Sequence, residues 1–418
     1  MNRYRDIIGR LNYGVFLGLI ALLPFPQIIV RYACLVWFIT WALEFRWLSK
    51  PDWRFKISVV LFGLWYAWKL LSGLWAPDHA AWAAQMERYL PFLFLVPVGI
   101  WGVNPCYDMK RAGRVLVISC LCAVPLYALL MTTLFYHREI IDTLHWEAVW
   151  NYAHNDLYAF VTDNISNVKH RLYLCTLELF GAYAAFVLYR HEPKKLIPML
   201  VVMLLMIALT DSRQAILTAL ILAAVTALLY MPEQYRKRYG VAILAAALLT
   251  GGGLLCLHPR MQHMDLEAVR QMQEKDDPNT ARLYIWTCAL QEPKDYLAHG
   301  LGAGQSTPYL VERYEQAGFG YCAGSRFHCH NQYLQELMEI GIGGLLLFLL
   351  AWVSVPLCAR GEGRRAAWVL VTVFGCNMLT DCMFNMFCGV SIWATAMVGV
   401  MCLSLVEQPA QVRAPRTT

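Results

Sequence analysis

Four side chains able to bind anions or to move protons stand at the edges of apolar segments. They are Arg213, Arg282, His330 and Asp381. An arginine at a helix N-terminus forms an anion site suited to a phosphate, because the helix dipole is positive there. A neutral imidazole can act as a general base, and an ionisable group at membrane depth is a functional candidate by default. These residue types therefore predict anion binding combined with proton transfer.

Arg213 lies between two apolar segments, directly after Asp211 and Ser212. Either of these two residues can cap the helix that follows, because both carry a side-chain oxygen that accepts a backbone N–H. Arg213 would then stand in the first turn of that helix. The alternative is an interfacial arginine that reaches lipid headgroups.

Arg282 belongs to a polar loop and begins a segment with apolar residues at a spacing of three to four. Leu283, Trp286 and Leu290 predict one face of an amphipathic helix, which Pro293 would end. The alternative for Arg282 is a surface charge. Glycines follow at positions 300–304, but they lack the Lys-Ser/Thr ending of a phosphate loop, so we expect a flexible turn and hinge over the site.

His330 precedes a segment whose polar residues share one arc of a helix. The arc contains Asn331, Gln332, Gln335, Glu336 and Glu339. Such a face cannot contact lipid, so we expect it to line the interior of a helix bundle or a cavity. The positive end of the helix dipole opposes a charged His330 and favours the neutral imidazole.

The neighbours of His330 allow two further interpretations. A metal site at His328, Cys329 and His330 lacks further ligands at zinc spacing, so we expect no metal and no cofactor. A disulfide between Cys322 and Cys329 is open if the loop faces an oxidising compartment. His328 and Asn331 are additional site candidates.

Asp381 is expected near the outer end of a later apolar segment, and its alternative is an ordinary interfacial residue. Basic residues at the outer ends of other segments would add positive charge to the same membrane face. They are Arg88, Lys169 and Arg171.

The composition shows which kind of element positions these residues. Of 418 residues, 58% are hydrophobic and only 15% are charged, and the mean hydropathy is +0.43. Soluble globular proteins average about 25% charged residues, so a water-soluble enzyme and a disordered chain are both excluded. The net charge of +6 does not require nucleic acid, because short basic loops orient membrane proteins.

Twelve apolar segments are long enough to predict membrane-spanning helices. They cover residues 13–30, 32–48, 57–75, 89–104, 115–136, 172–189, 196–210, 214–231, 240–258, 331–357, 366–384 and 388–406. With twelve spans, all clusters of Lys and Arg fall on one side, which predicts that both termini are cytoplasmic. The predicted division is helices 1–9 in residues 1–258, an outer loop in 259–330, helices 10–12 in 331–406 and a cytoplasmic tail in 407–418.

The motifs together resemble the O-antigen ligase and polymerase superfamily of bacterial envelope glycosyltransferases. The resemblance rests on Asp211-Ser212-Arg213, on Ala281-Arg282 with Trp286, on His330-Asn331 leading into Glu339-Ile340-Gly341-Ile342-Gly343-Gly344, on Leu379-Thr380-Asp381, and on Leu74-Trp75-Ala76-Pro77-Asp78. In the last motif, Ala76 replaces the usual serine.

The resemblance implies an all-α, GT-C-like fold with a partly helical periplasmic loop in the bacterial inner membrane. It implies transfer of a glycan from undecaprenyl pyrophosphate to an acceptor hydroxyl, without a nucleotide sugar or a required metal. The expected partners are this lipid-linked donor, a lipid A–core or glycan acceptor and membrane lipids, with no nucleic acid. A ligase comes first and a polymerase is the alternative. A lipid-glycan transporter is the alternative from another class, but no inverted repeat supports it.

Overall fold

A computed structural model of the chain describes residues 2–44, 48, 51, 53–136, 170–210, 212–257 and 280–406, and the secondary-structure elements over these residues are all helices. The α-helices are α1 (Asn2–Leu22), α2 (Gln27–Glu44), α3 (Trp53–Leu71), α4 (His79–Arg88), α5 (Leu90–Trp101), α6 (Met109–Tyr136), α7 (Arg171–Tyr189), α8 (Pro193–Leu209), α9 (Arg213–Tyr230), α10 (Glu233–Leu257), α11 (Ala281–Gln291), α12 (Ser306–Ala317), α13 (Gly320–Gly324), α14 (Gln332–Cys358), α15 (Gly361–Met378) and α16 (Phe387–Val406). The predicted all-α class is confirmed. Asp211, Lys169 and the tail 407–418 lie outside the described residues.

Seven of the described helices are long and apolar enough to cross a membrane, namely α2, α3, α6, α7, α9, α14 and α16. Helix α5 is apolar but shorter. The other predicted spans coincide with α1, α8, α10 and α15. The chain is therefore a multi-pass membrane protein, and the count of twelve spans stays a prediction.

The first predicted boundary is wrong. The segments 13–30 and 32–48 were expected to divide near residue 31, but α1 ends at Leu22 and α2 begins at Gln27. Pro24 and Pro26 lie in the connection. Proline lacks a backbone N–H and clashes with the preceding turn, so these two residues set the boundary despite the apolar residues on either side.

The chain forms two compact units. The first comprises Met1–Ser49 and Val103–Tyr230. In it, α1 packs against α2 and α6, and α7 packs against α6, α8 and α9. The buried amide of Asn12 bonds the Trp37 carbonyl at 3.0 Å and the Thr40 hydroxyl at 2.8 Å, which fixes the pairing of α1 with α2.

The second unit comprises Lys50–Gly102 and Met231–Thr418. Helix α3 packs along α14, α5 packs against α3 and α16, and α15 packs against α14 and α16. A buried aromatic cluster lies among these helices. Its ring centroids are 5.0 Å apart for Trp65 and Phe92, and 5.5 Å apart for Trp65 and Phe348. Close packing of large side chains supplies the dispersion contacts that join helices in lipid.

Helix α14 is broken at Gly341, where φ is 68° and ψ is −175°. The sequence predicted one continuous span here. The amide groups of Leu301 and Gly302 donate to the carbonyls of Met338 and Glu339 at 2.8 and 2.9 Å. The loop therefore satisfies carbonyl groups of the last turn before the break, and the irregular backbone is buried in protein.

The glycines at 300–304 are not the flexible hinge that the sequence predicted. A Cβ atom at Gly300 would lie 2.3 Å from the Glu339 carbonyl oxygen, and one at Gly304 would lie 2.6 Å from that of Ala81. Ala303 between them is fully buried. These glycines allow close backbone contact at positive φ, so the segment is a packed connection.

The described part of the outer loop contains α11, α12 and α13 around a small apolar core. Helix α11 was predicted correctly and ends before Pro293. The face that was predicted to be buried was wrong. Its buried residues are Ala281, Tyr284, Ile285, Cys288 and Ala289, while Leu290 is exposed. The Tyr284 ring packs 4.9 Å from that of Phe319. Because apolar residues occur on both faces of α11, only the packing partner decides which face is buried.

Candidate functional site

His328, His330 and Asp381 form a group that we call the His–Asp cluster. Nδ1 of His330 lies 3.6 Å from Oδ1 of Asp381, and Nε2 of His328 lies 3.8 Å from the same oxygen. The two imidazole rings have centroids 4.0 Å apart. The structure thus brings together two predicted site residues, His330 and Asp381, that are 51 positions apart in the chain, with a third candidate beside them.

The hydrogen bond to His328 assigns the position of its ring proton. The amide of His330 donates to Nδ1 of His328 at 3.2 Å. In a neutral imidazole, a nitrogen that accepts carries no proton, so the proton of His328 is on Nε2 and faces Asp381. In a neutral His330, a proton on Nδ1 would face the Asp381 carboxylate, and Nε2 would then be free of a proton and able to accept.

The loop that carries the histidines is anchored at both sides. The indole of Trp286 on α11 donates to the Cys329 carbonyl at 2.9 Å. Asn331 is the N-cap of α14, and its side chain accepts from the Leu334 amide at 3.0 Å. The Asn331 amide group also donates to the Leu379 carbonyl at 3.1 Å. His330 therefore stands at the N-terminus of its helix, as predicted, and the additional candidate Asn331 positions it.

Asp381 lies in the turn that connects α15 to α16. The predicted span extended to residue 384, but α15 ends at Met378, so Asp381 lies just beyond the end of this helix. The turn is stabilised locally because Oδ1 of Asp381 accepts from the Cys382 amide at 2.7 Å. The Asp381 side chain is 12% exposed and that of His330 is 19% exposed, so both are partly shielded from solvent.

The histidine loop contains two non-glycine residues in the left-handed backbone region. Their φ values are 49° for Arg326 and 45° for His330. This conformation costs about 1–3 kcal/mol per residue and persists where surrounding contacts impose it. The contacts of Trp286 and Asn331 on either side of His330 supply that constraint.

Three ligand atoms of the His–Asp cluster lie within 4.8 Å of one another, which is close enough for one metal ion. The chemistry of the set fits hydrogen bonding better. A metal on Nε2 of His328 requires the ring proton to move to Nδ1, where the His330 amide already donates. Metal-bound histidines normally donate from their second nitrogen, and this one accepts.

The polar arc of α14 faces the interior of the bundle, as predicted. Gln332, Glu336 and Glu339 are fully buried, and Gln335 is 1% exposed. The sequence analysis did not identify the partner of this arc, Lys69 on α3. Its Nζ lies 3.1 Å from Glu336 and 2.7 Å from Glu339. A single lysine within an apolar span was the pattern that could have revealed it.

Lys69, Glu336 and Glu339 form a buried ion network whose remaining acceptors are also occupied. Glu336 accepts from the Trp65 indole at 2.8 Å, and Glu339 accepts from the Ser306 hydroxyl at 2.9 Å. These hydrogen bonds offset part of the desolvation cost of burying the charged groups in a medium of low polarity.

Two glutamines connect this network to the turn that carries Asp381. The Gln332 side chain donates to Glu336 at 2.7 Å and accepts from the Phe384 amide at 2.8 Å. The Gln335 side chain donates to Glu339 at 2.8 Å and to Asn385 at 3.1 Å. The polar face of α14 therefore fixes the position of the turn that contains Asp381.

The predicted cations fall into three groups. Arg282 is the second residue of α11 and is half-buried, and Arg88 donates to the Asn385 carbonyl at 3.3 Å; both belong to the second unit. Arg213 and Arg171 are the first residues of α9 and α7 in the first unit. Ser212 caps α9 with an Oγ that accepts from the Ala215 amide at 3.4 Å. Lys169 lies outside the described residues.

Comparison with known proteins identifies the central part of the chain. Residues 198–349 match the family model described as O-antigen ligase, a range that contains Arg213, Arg282 and His330. No curated protein matches the chain. The family match agrees with the helical membrane architecture and with the motifs around those residues. This central region is therefore similar to the O-antigen ligase family.

Proposed function

We propose that this protein is an O-antigen ligase-like glycosyltransferase, which transfers a polysaccharide from undecaprenyl pyrophosphate to a hydroxyl group of lipid A–core in the periplasm. The observation that supports this most is the 3.6 Å approach of the His330 imidazole to the Asp381 carboxylate. An imidazole beside a carboxylate suits proton transfer, and His330 lies within the region matched to O-antigen ligase.

His330 is the proposed general base. With its proton on Nδ1 towards Asp381, the lone pair of Nε2 is available to the acceptor hydroxyl. As the acceptor oxygen bonds to the anomeric carbon, its proton passes to Nε2 and the bond from that carbon to the pyrophosphate oxygen breaks. The displacement is direct, so the anomeric configuration inverts.

Asp381 positions His330 and stabilises the imidazolium that forms during transfer. The distance of 3.6 Å between Nδ1 and Oδ1 exceeds that of a hydrogen bond. Catalytic hydrogen bonds are often long without substrate and tighten when it binds. Nε2 of His328 lies 3.8 Å from the same carboxylate oxygen, so a similar tightening would let it donate there.

Arg282 and Arg213 are the proposed ligands of the donor pyrophosphate. Both lie in the first turn of a helix, where the dipole adds to the positive charge of the guanidinium. Charge that develops on the leaving phosphate is stabilised there without a metal ion. Arg282 is coupled to the histidine loop because Trp286 on the same helix bonds the Cys329 carbonyl. Arg88, Lys169 and Arg171 are proposed to add positive charge for the donor.

The test is transfer by purified full-length protein from a lipid-linked polysaccharide to lipid A–core, without ATP and with a chelator. We expect product from the native chain and from two control variants at exposed positions, His191→Ala and Arg236→Ala. We expect a loss of about 10²–10⁴-fold in His330→Ala, because proton transfer contributes that much. Arg282→Ala and Arg213→Ala should weaken donor binding. Normal product from His330→Ala would refute the catalytic assignment.

The acceptor separates a ligase from a polymerase. A ligase gives polymer on lipid A–core, whereas a polymerase extends a lipid-linked repeat when two such donors are mixed. In a deletion strain, loss of a ligase leaves lipid-linked polymer to accumulate, while loss of a polymerase leaves core that carries one repeat. Core that carries one repeat would show that the acceptor is a lipid-linked glycan and not lipid A–core. The proposed transfer chemistry would be unchanged.

A further inference from the structure

Two thiol groups are in contact between the segment that carries the proposed base His330 and the turn that carries Asp381. Sγ of Cys329 lies 3.5 Å from Sγ of Cys382. Cys329 directly precedes His330, and Cys382 directly follows Asp381. Both cysteines are buried, with 0% and 1% of their surface exposed.

The two segments are already held side by side without a sulfur bond. Asn331 donates to the Leu379 carbonyl at 3.1 Å, and the Phe384 amide donates to Gln332 at 2.8 Å. These hydrogen bonds flank the thiol contact on both sides. A disulfide requires an S–S distance of about 2.05 Å, so the sulfur atoms must approach by roughly 1.5 Å.

Other thiols lie in the same apolar core and are the competing partners. Cys288 on α11 and Cys322 on α13 belong to the cluster of buried residues that includes Cys329 and Cys382. The sequence analysis left a disulfide between Cys322 and Cys329 open. The sulfur contact instead joins Cys329 to Cys382, which is 53 positions away.

We propose that Cys329 and Cys382 are joined by a disulfide in the mature protein, and that this bond holds His330 beside Asp381. The proposal rests on the proposed function to the extent that it needs the site to face the periplasm, where disulfides form. The two thiols lose two electrons and two protons to a disulfide donor, which leaves as two thiols. One S–S bond forms in the protein and one breaks in the donor.

The burial of both residues determines when the bond forms. Thiol–disulfide exchange needs a thiolate that the donor can reach, and a buried thiol is inert. Exchange therefore precedes the packing of the histidine loop against the Asp381 turn. Once the loop is packed, the same burial shields the bond from reductants.

The experiment measures the bond by mass, independently of transfer activity. Full-length protein from bacterial inner membrane is denatured in acid, alkylated with N-ethylmaleimide and digested without reduction. We expect a peptide pair that links Cys329 to Cys382, which separates on reduction, and we expect alkylated Cys288 and Cys322. A Cys288→Ser, Cys322→Ser variant should retain the link, and Cys382→Ser should leave Cys329 alkylated.

A second arm separates failure of the geometry from failure of the assigned compartment. Reduced, purified protein is incubated with oxidised glutathione in mild denaturant and then returned to detergent alone. A link in both arms supports the proposal. A link in this arm alone shows that the thiols fit but face a reducing compartment, which overturns the disulfide in the cell and the periplasmic site together. No link in either arm, or a link from Cys329 to Cys322, overturns the proposed pair while the transferase assignment stands.

Discussion

Two polar regions lie at and just before the start of α14, and they differ in the contacts that their side chains make. In the buried ion network, Lys69 lies 2.7–3.1 Å from two carboxylates and the side chains are fully buried. In the His–Asp cluster, the contacts are 3.6–3.8 Å and the side chains are 12–29% exposed. Fully buried groups in direct contact act on the stability of the fold, whereas a partly exposed cluster can be reached by a ligand.

The backbone conformation also differs between the ion network and the His–Asp cluster. The residues of the ion network on α14 lie in regular helix before Gly341. His330 in the His–Asp cluster has a left-handed backbone with φ of 45°. A strained residue at a chemically active position is held by its surroundings. We therefore expect substitutions in the ion network to change stability and substitutions in the His–Asp cluster to change the transfer rate.

The largest expected effect is from Lys69→Met in the ion network. Removing the cation leaves two buried carboxyl groups without their charge partner, which costs about 3–5 kcal/mol of stability. Thermal unfolding in detergent measures the loss. A triple variant that adds Glu336→Gln and Glu339→Gln should recover much of it, because neutral amides do not repel. An unchanged unfolding temperature in Lys69→Met would show that the network contributes no stability.

Gly300→Ala tests the packed connection beside Glu339. Its φ is 80° and the new Cβ would lie 2.3 Å from the Glu339 carbonyl oxygen. Strain and steric overlap together should cost about 3 kcal/mol. Gly318→Ala is the matched control, since its φ is 77° and nothing lies within 4 Å of its added Cβ. If both variants lose the same stability, backbone strain alone explains Gly300.

Asp381→Asn is expected to separate rate from stability in the His–Asp cluster. The amide retains the size of the carboxylate and can still accept from the Cys382 amide, but it cannot stabilise an imidazolium. The transfer rate should fall about 10²-fold at an unchanged KM for the donor and an unchanged unfolding temperature. Steady-state kinetics and thermal unfolding check both. Loss of stability comparable to Lys69→Met would assign Asp381 to the structural region instead.

The smallest expected effect is from Arg88→Ala. Arg88 is exposed and bonds Gln85 and the Asn385 carbonyl at 3.2 and 3.3 Å. Exposed contacts of this kind contribute about 0.5 kcal/mol or less. The expected change is a few-fold rise in the KM for the lipid-linked donor, read from the transfer assay. An unchanged KM would remove Arg88 from the proposed donor site.

Sequence reasoning predicted most of the helices, and it singled out the candidate site residues, because both depend on local patterns. The apolar segments predicted the helices, and Asn331 appeared correctly at the start of α14. The polar arc of α14 was correctly placed in the interior, since Glu336 and Glu339 cannot face lipid. The error at Pro24 and Pro26 was local, because proline itself ends the helix there. The errors at the buried face of α11 and at Gly300–Gly304 arose because the outcome depends on which distant segment packs nearby.

The sequence by itself determined the helical membrane class and the residue types of the site, since hydropathy and helical periodicity are properties of neighbouring residues. Only the tertiary structure decided that Lys69 neutralises the polar arc, that His330 lies beside Asp381 and that Cys329 meets Cys382. These pairs are separated by tens to hundreds of positions. No local spacing encodes such contacts, because they arise when α3, the histidine loop and the turn after α15 pack around the same broken helix.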